Sequence, residues 1–288
     1  MKKKSILNTP RLQEFKKRKR KVIRNRIIFL FILFFIFFIG LSFLSNWKKI
    51  TIEKINITGN RVIETEKINE TINKIITNKY IGLFSKKNSL IYPKQKIIKE
   101  LNQQFKRLKD ISINVDIDDL KTLNITVSEY EGKYLWCGNV IPENLLIQHC
   151  YFLDSDGYIF DEAPYFSGEV FFKFYGNLDS NSENPIGTYF NQKYFGKIIS
   201  FKESIQKMNL KPSILYLPDN EEGNLFLSSI NQPPNAPKIL FKLDSDYYKL
   251  IENLQSAITT DPLQTKIKNE LASLLYIDLR FGNKVYFK

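Results

Sequence analysis

The longest apolar run, residues 27–44, holds 18 residues with no charge, and only Gly40 and Ser42 fall short of fully apolar. As a helix rising 1.5 Å per residue it covers about 27 Å, close to the roughly 30 Å hydrocarbon core of a bilayer. Basic residues 16–21 precede it and Trp47-Lys48-Lys49 follow it. Arg24 and Arg26 on one side and Trp47 on the other suit the two membrane interfaces. The run exceeds the apolar core of a signal peptide, and Leu41-Ser42-Phe43-Leu44 is a poor cleavage site. The pattern therefore predicts an uncleaved transmembrane helix over 27–45. No second long apolar run occurs, so the prediction is a single-pass protein with a soluble outer region.

Shorter periods organise the chain beyond this run. Ile50 and Ile52, then Ile55 and Ile57, alternate with polar residues but slip in phase, which predicts a strand with a bulge. Gly59-Asn60 ends it. Ile68, Ile72, Ile75 and Ile76 fall on one helix face, with Glu64 and Glu66 at the end that favours negative charge. Residues 78–89 read as a loop. Pro93 opens a second helix, with Ile97, Leu101, Phe105 and Leu108 as its apolar stripe. Ile111, Ile113, Val115 and Ile117, then Leu123, Ile125 and Val127, alternate without error, so each strand buries one face. Asp118-Asp119 with Lys121 makes the turn between them. Residues 48–130 thus predict strand, helix, helix, strand, strand: an α+β unit with two helices on one face of a three-stranded mixed sheet.

From residue 131 to 288 the elements are mixed, and the expectation is a second α/β domain with a mostly antiparallel sheet. Residues 134–137 and 150–153 read as hairpin strands, and Asp154-Ser155-Asp156-Gly157 turns the chain into a third at 158–160. A strand over 169–175, a helix over 193–208 (Phe195, Ile198, Ile199, Ile205), and strands over 214–217, 225–230 and 239–243 come next. Gln232-Pro233-Pro234-Asn235-Ala236-Pro237 is a stiff connector. Tyr248, Ile251, Leu254 and Ile258 mark a helix, 267–274 a shorter one. Strands over 275–281 and 284–288 join at Gly282-Asn283.

The formal charge of +13 changes meaning once it is located. Residues 1–26 carry 12 Lys/Arg against Glu14 alone, and the remaining 262 hold 31 basic and 29 acidic groups. The basicity belongs to a tail, which excludes a globally basic nucleic-acid-wrapping protein. Basic flanks stay on the cytoplasmic side, so the N-terminus is expected inside and residues 46–288 outside. The tail is a topology signal, or in addition a site for anionic lipid or a partner.

Chemistry-bearing motifs are few. One His and two Cys exclude most zinc sites and His-based triads. Asp154-x-Asp156-Gly157 resembles half a calcium loop but lacks the further ligands, and a tight turn accounts for it. His149 has no metal-ligand partner set, no Ser or Cys stands in a nucleophile motif, and no glycine-rich phosphate loop occurs. The outer region reads as non-catalytic, with no metal and no cofactor. Cys137 and Cys150 sit on strands expected to be neighbours, and outside the cytoplasm they can pair as a disulfide. The alternative is two small buried hydrophobes.

Taken together, a basic tail, one span and the strand–helix–helix–strand–strand unit resemble the FtsQ/DivIB family of bitopic bacterial cell-division proteins. Ile57-Thr58-Gly59-Asn60 is similar to the strand end opening that family's POTRA domain, and Leu123-Asn124-Ile125-Thr126-Val127-Ser128-Glu129 to the strand closing it. Residues 153–160 resemble the hairpin beginning its second domain, the FtsQ-type β-domain. Tyr276-Ile277-Asp278-Leu279-Arg280-Phe281 resembles the D-L-R-aromatic strand near its C-terminus. The resemblance implies a non-enzymatic scaffold of the divisome at the division septum. Such a scaffold binds FtsB/FtsL-type bitopic coiled-coil proteins and holds them for the septal wall synthase complex. It also implies that a partner adds a strand to an exposed sheet edge. Arg280 and Phe281 then contact the partner, Phe281 lacking the hydroxyl of the family's usual Tyr. The last strand, Lys284, Val285, Tyr286, Phe287 and Lys288, is the expected edge; the alternative is an ordinary internal strand. A different class, a membrane-anchored POTRA protein assisting secretion or envelope assembly, would carry a strand-rich membrane barrel after its POTRA units.

Overall fold

The computed structural model describes residues 10–116, 118–142, 148–180, 183–219, 221–233 and 235–288, with side chains from Phe15 onward. Ile117, Pro234, the first nine residues of the tail and residues 143–147 lie outside the described residues. The chain divides into two compact units, one of residues 1–104 and 110–128, the other of 105–109 and 129–288.

The first unit begins with α1 (Pro10–Ser45), and its stretch Phe15–Ser45 is long and apolar enough to cross a membrane. The helix does not stop where the apolar run starts. Lys and Arg are good helix formers, so the basic segment extends the same rod. The expected strand at Ile50–Ile52 is not formed. Residues Lys48–Ile50 make a single 3-10 turn, and Thr51 makes an isolated bridge to Asn88. The first strand is β1 (Lys54–Thr58), followed by α2 (Thr65–Ile76), β2 (Lys79–Tyr80), β3 (Phe84–Ser85), α3 (Lys94–Gln104), β4 (Leu108–Val115) and β5 (Thr122–Glu129). The predicted loop at 78–89 therefore contains a small hairpin.

The sheet order is β1-β5-β4. β1 runs parallel to β5, with Ile55 opposite Leu123 and Ile57 opposite Ile125. The strict alternation in β4 and β5 buries Ile113, Leu123, Ile125 and Val127. Ile68, Ile72 and Ile76 of α2 and Ile97 and Leu101 of α3 are buried with them. Burying an isoleucine fully is worth about 1.5–3 kcal/mol, so this face carries the unit. Thr71 Oγ1 donates to Gln104 Oε1 (2.9 Å) and joins the two helices. Phe105 and Leu108 leave the predicted helix stripe: α3 ends at Gln104, and Leu108 is buried as the first residue of β4. The spacing alone could not separate these, because a core position can be filled from either element. At Gly59 φ is +91°, and a Cβ there would lie 2.0 Å from Val127 O. Only glycine lets β1 end so close to β5.

The second unit is built on a nine-stranded sheet in the order β14-β13-β12-β11-β10-β9-β6-β7-β8. The strands are β6 (Tyr134–Trp136), β7 (Cys150–Leu153), β8 (Ile159–Ala163), β9 (Lys173–Gly176), β10 (Pro212–Leu217), β11 (Glu222–Leu227), β12 (Lys238–Lys242), β13 (Tyr276–Phe281) and β14 (Lys284–Phe287). The helices are α4 (Phe195–Lys207), α5 (Tyr247–Ile258) and α6 (Leu263–Glu270). Pairing is mostly antiparallel, with parallel joins at β6–β9, β9–β10 and β12–β13.

Alternation gives this sheet two faces. Phe174, Leu215, Leu217, Leu225, Ile239, Phe241, Ile277 and Leu279 form one apolar cluster with Ile198, Phe201, Leu250 and Leu254 from the helices. Leu135, Cys137, Cys150, Tyr175, Ile214 and Phe226 cluster on the opposite face. There Cys137 and Cys150 are joined by a disulfide. The β6–β7 register, with Trp136 opposite Tyr151, places the next two residues opposite each other. Several boundaries differ from expectation: β8 extends to Ala163, β10 starts at Pro212 and β11 at Glu222, and the last helix is α6 at Leu263–Glu270 with a 3-10 turn at Leu271–Ser273 rather than one helix over 267–274. β9 starts at Lys173 rather than 169, where Val170 is exposed, and β11 ends at Leu227, leaving Ile230 exposed.

A candidate partner-binding edge on the second unit

Gly282-Asn283 turns β13 into β14, and the hairpin ends the nine-stranded sheet. The register runs Ile277 to Phe287 and Asp278 to Tyr286, then shifts to Phe281 opposite Lys284. Two residues, Leu279 and Arg280, therefore stand against Val285, a bulge that raises the local twist. Tyr276 and Lys288 exchange backbone hydrogen bonds of 3.4 and 3.2 Å. By the antiparallel alternation, Tyr286 also turns its backbone groups to β13, while Val285 and Phe287 turn theirs outward. Outward N–H and C=O groups on an edge strand are a template for another strand.

Side chains divide the other way. Val285 and Phe287 pack against the helix-side core. Tyr286, Lys284 and Lys288 are exposed, as is Phe281. The Phe281 and Tyr286 rings meet edge to face, with centroids 5.3 Å apart. An aromatic pair on a wet surface, flanked by two lysines, is a fit for an extended segment bearing apolar and acidic side chains. Asn253 Nδ2 of α5 donates to Gly282 O (2.9 Å) and fixes the hairpin loop.

Arg280 lies beside this pair, held from within. Its Nε and Nη2 donate to the two carboxylate oxygens of Asp278 (2.9 and 2.6 Å), and Nη1 donates to Glu222 Oε2 on β11 (2.6 Å). The Arg280 backbone N–H donates to Asp278 Oδ1 as well (3.0 Å). The Asp278 side chain is 6% exposed. Burial alone would push its carboxyl up. The hydrogen bonds from Arg280 and the guanidinium charge outweigh burial and hold it below the usual range. The bond to Asp278 in turn raises the guanidinium further above its already high value. The cluster ties β11 to β13 across β12 and sets the shape of the hairpin.

Of the residues the resemblance assigns to the partner edge, Phe281, Lys284, Tyr286 and Lys288 thus present side chains outward. Val285 and Phe287 offer backbone, and Arg280 is engaged inside the unit. The sequence pattern does not pick out Asp278 or Glu222 as members of this edge. For Asp278 a signal exists, since residues two apart on a strand share a face. For Glu222, 58 positions from Arg280, there is none.

The remaining candidates lie elsewhere. Asp154 closes a turn, its carboxylate accepting the N–H groups of Asp156 and Tyr158 (2.8 Å each), with Gly157 at φ +82°. His149 is exposed and faces Glu162 at 3.6 Å. Among the described residues no group of three or more His, Cys, Asp or Glu side chains converges as metal ligands would. In the first unit Arg24, Arg26 and Trp47 are exposed, and Lys49 Nζ lies 5.5 Å from the centre of the Trp47 ring. Compared with known protein families and with curated protein sequences, the chain matches none.

Proposed function

We propose that this chain is a bitopic, non-enzymatic scaffold of the FtsQ/DivIB type, acting in bacterial cell division at the septum. In this reading α1 spans the cell membrane with the basic tail inside. The first unit is a POTRA domain outside. The second unit receives an FtsB/FtsL-like coiled-coil protein and presents it to the septal wall synthase complex.

The observation that carries the proposal is β14: the end strand of a nine-stranded sheet, with outward backbone at Val285 and Phe287 beside the exposed Phe281–Tyr286 pair. A partner segment pairing there gains main-chain hydrogen bonds, and its alternate side chains read the aromatic pair and the lysines. The β1-α2-α3-β4-β5 order, with β1 parallel beside β5, supports the POTRA reading; the β2–β3 hairpin is an addition to it. The concentration of charge before residue 27 supports the orientation.

A fluorescent protein fused to the N-terminus tests the proposal in dividing cells. A band at the division site, lost on deleting residues 46–288, is the expected result. Uniform membrane signal from a functional fusion throughout the division cycle would overturn it and favour an assembly or secretion role.

A further inference from the structure

The β2–β3 hairpin runs in step with the outer end of α1. Ser42 Oγ donates to Leu83 O (3.0 Å), and Ser45 Oγ accepts from the Ser85 N–H (2.9 Å). Asn88 Nδ2 donates to Ser45 O (3.0 Å), and the Ser89 N–H donates to Ile50 O (2.9 Å). As the helix goes deeper, so does the hairpin. Phe84 packs edge to face on Phe38 with centroids 5.1 Å apart. Phe38 lies seven residues before Ser45, about 10 Å further along the helix axis.

The tip that reaches this depth is Tyr80-Ile81-Gly82-Leu83-Phe84, with no charge. Ile81 is 85% exposed and Leu83 44%. Ile81 also holds φ at +51°, which a β-branched residue adopts only under strain. The strain is present in any medium, but the exposed apolar surface is a cost specific to water. Lys79 and Lys86 sit at the base of the hairpin, Lys86 Nζ 5.1 Å from the centre of the Tyr80 ring. An apolar tip above a collar of Lys and Tyr is the pattern of a segment lying in a membrane interface. Backbone in an apolar medium needs its polar groups met. At Leu83 this holds: its N–H donates to Tyr80 O (2.9 Å) and its O accepts from Ser42.

We infer that the β2–β3 hairpin is a second membrane contact. Its tip enters the acyl region of the leaflet at the C-terminal end of α1, and its lysines meet the lipid phosphates. The inference rests on the reading of α1 as a membrane span. It gives the hairpin a task that the partner-binding edge does not explain: it anchors the first unit at two points and fixes its attitude to the bilayer.

The test uses the full chain in phosphatidylcholine vesicles. Ile81→Cys, Phe35→Cys and Ser112→Cys each add one free thiol, because Cys137 and Cys150 are bonded to each other. All three side chains are exposed, so the fold tolerates the change. Each thiol carries an environment-sensitive fluorophore, and the vesicles contain lipids with a nitroxide either near the glycerol or deep in the acyl chain. The expected result is loss of most of the Ile81 emission to the shallow nitroxide, loss of the Phe35 emission to the deep one, and no loss at Ser112. Quenching at Phe35 with Ile81 behaving like Ser112 would leave the span intact and overturn the inference. No quenching at Phe35 would overturn the span itself and the inference with it.

Discussion

Replacing Arg280 by Met removes the guanidinium that holds the end of the second unit's sheet and keeps much of the side chain's apolar stem. Three side-chain hydrogen bonds are lost, two to Asp278 and one to Glu222. Asp278, with a side chain only 6% exposed, keeps a single donor, the residue-280 backbone N–H. Stranding one member of a buried ion pair costs about 3–5 kcal/mol. Arg280 is 26% exposed, so water replaces part of what is removed. That discount brings the expected loss in the second unit's unfolding free energy to about 2–3 kcal/mol. Urea unfolding followed by tryptophan fluorescence measures it. The chain has two tryptophans. Trp47→Phe leaves Trp136, whose Nε1 donates to Gly176 O (3.0 Å) inside the second unit's core, as the reporter. Adding Asp278→Leu to Arg280→Met removes the stranded charge, and most of the stability should return. A Met variant within about 0.5 kcal/mol of its parent, the range of an ordinary surface change, would refute the reasoning. So would a double variant no more stable than the single one.

Three further outcomes are expected. Asp278 has a depressed carboxyl in the folded state. Its contribution is therefore complete above the unfolded value, about 3.9. It is lost as pH falls through the lower folded value. Acid titration of Trp136 fluorescence should show this loss in the parent and not in Arg280→Met. Cys137→Ser with Cys150→Ser opens a loop of sequence separation 13; the second unit should lose about 3 kcal/mol in urea unfolding, and adding reductant to the parent should mimic it. Gly59→Ala forces a Cβ onto Val127 O, so hydrogen exchange should accelerate across β1 and β5 while the second unit keeps its protection.

Much of this architecture was legible because single residues decided it. Eighteen residues without charge leave a long apolar helix as the consistent reading, and α1 covers all of them. The alternation at Leu123, Ile125 and Val127 gives β5 its face directly. Two-residue strands such as β2 and β3 have no room for a period, so residues 78–89 read as a loop. The order β10-β9-β6 was hidden for another reason. Parallel neighbours are chosen by long-range packing, and nothing in Lys173–Gly176 names Leu135 and Trp136 as partners. At the candidate edge the sequence indicated the strand and its aromatics. It did not separate Tyr286, which faces out, from Phe287, which faces the core. That division depends on the bulge at Leu279-Arg280, which only the register reveals.

The central claim is that β14 is the partner's docking strand. Its most direct test is photo-crosslinking in dividing cells, with benzoyl-phenylalanine in place of Tyr286 and, as a control, of Ser112. The account predicts a crosslink from position 286 to a bitopic coiled-coil protein, none from position 112, and loss of the 286 adduct when Phe281 is changed to Ala. An incorporated, membrane-localised chain that crosslinks to no such protein from position 286 would contradict it.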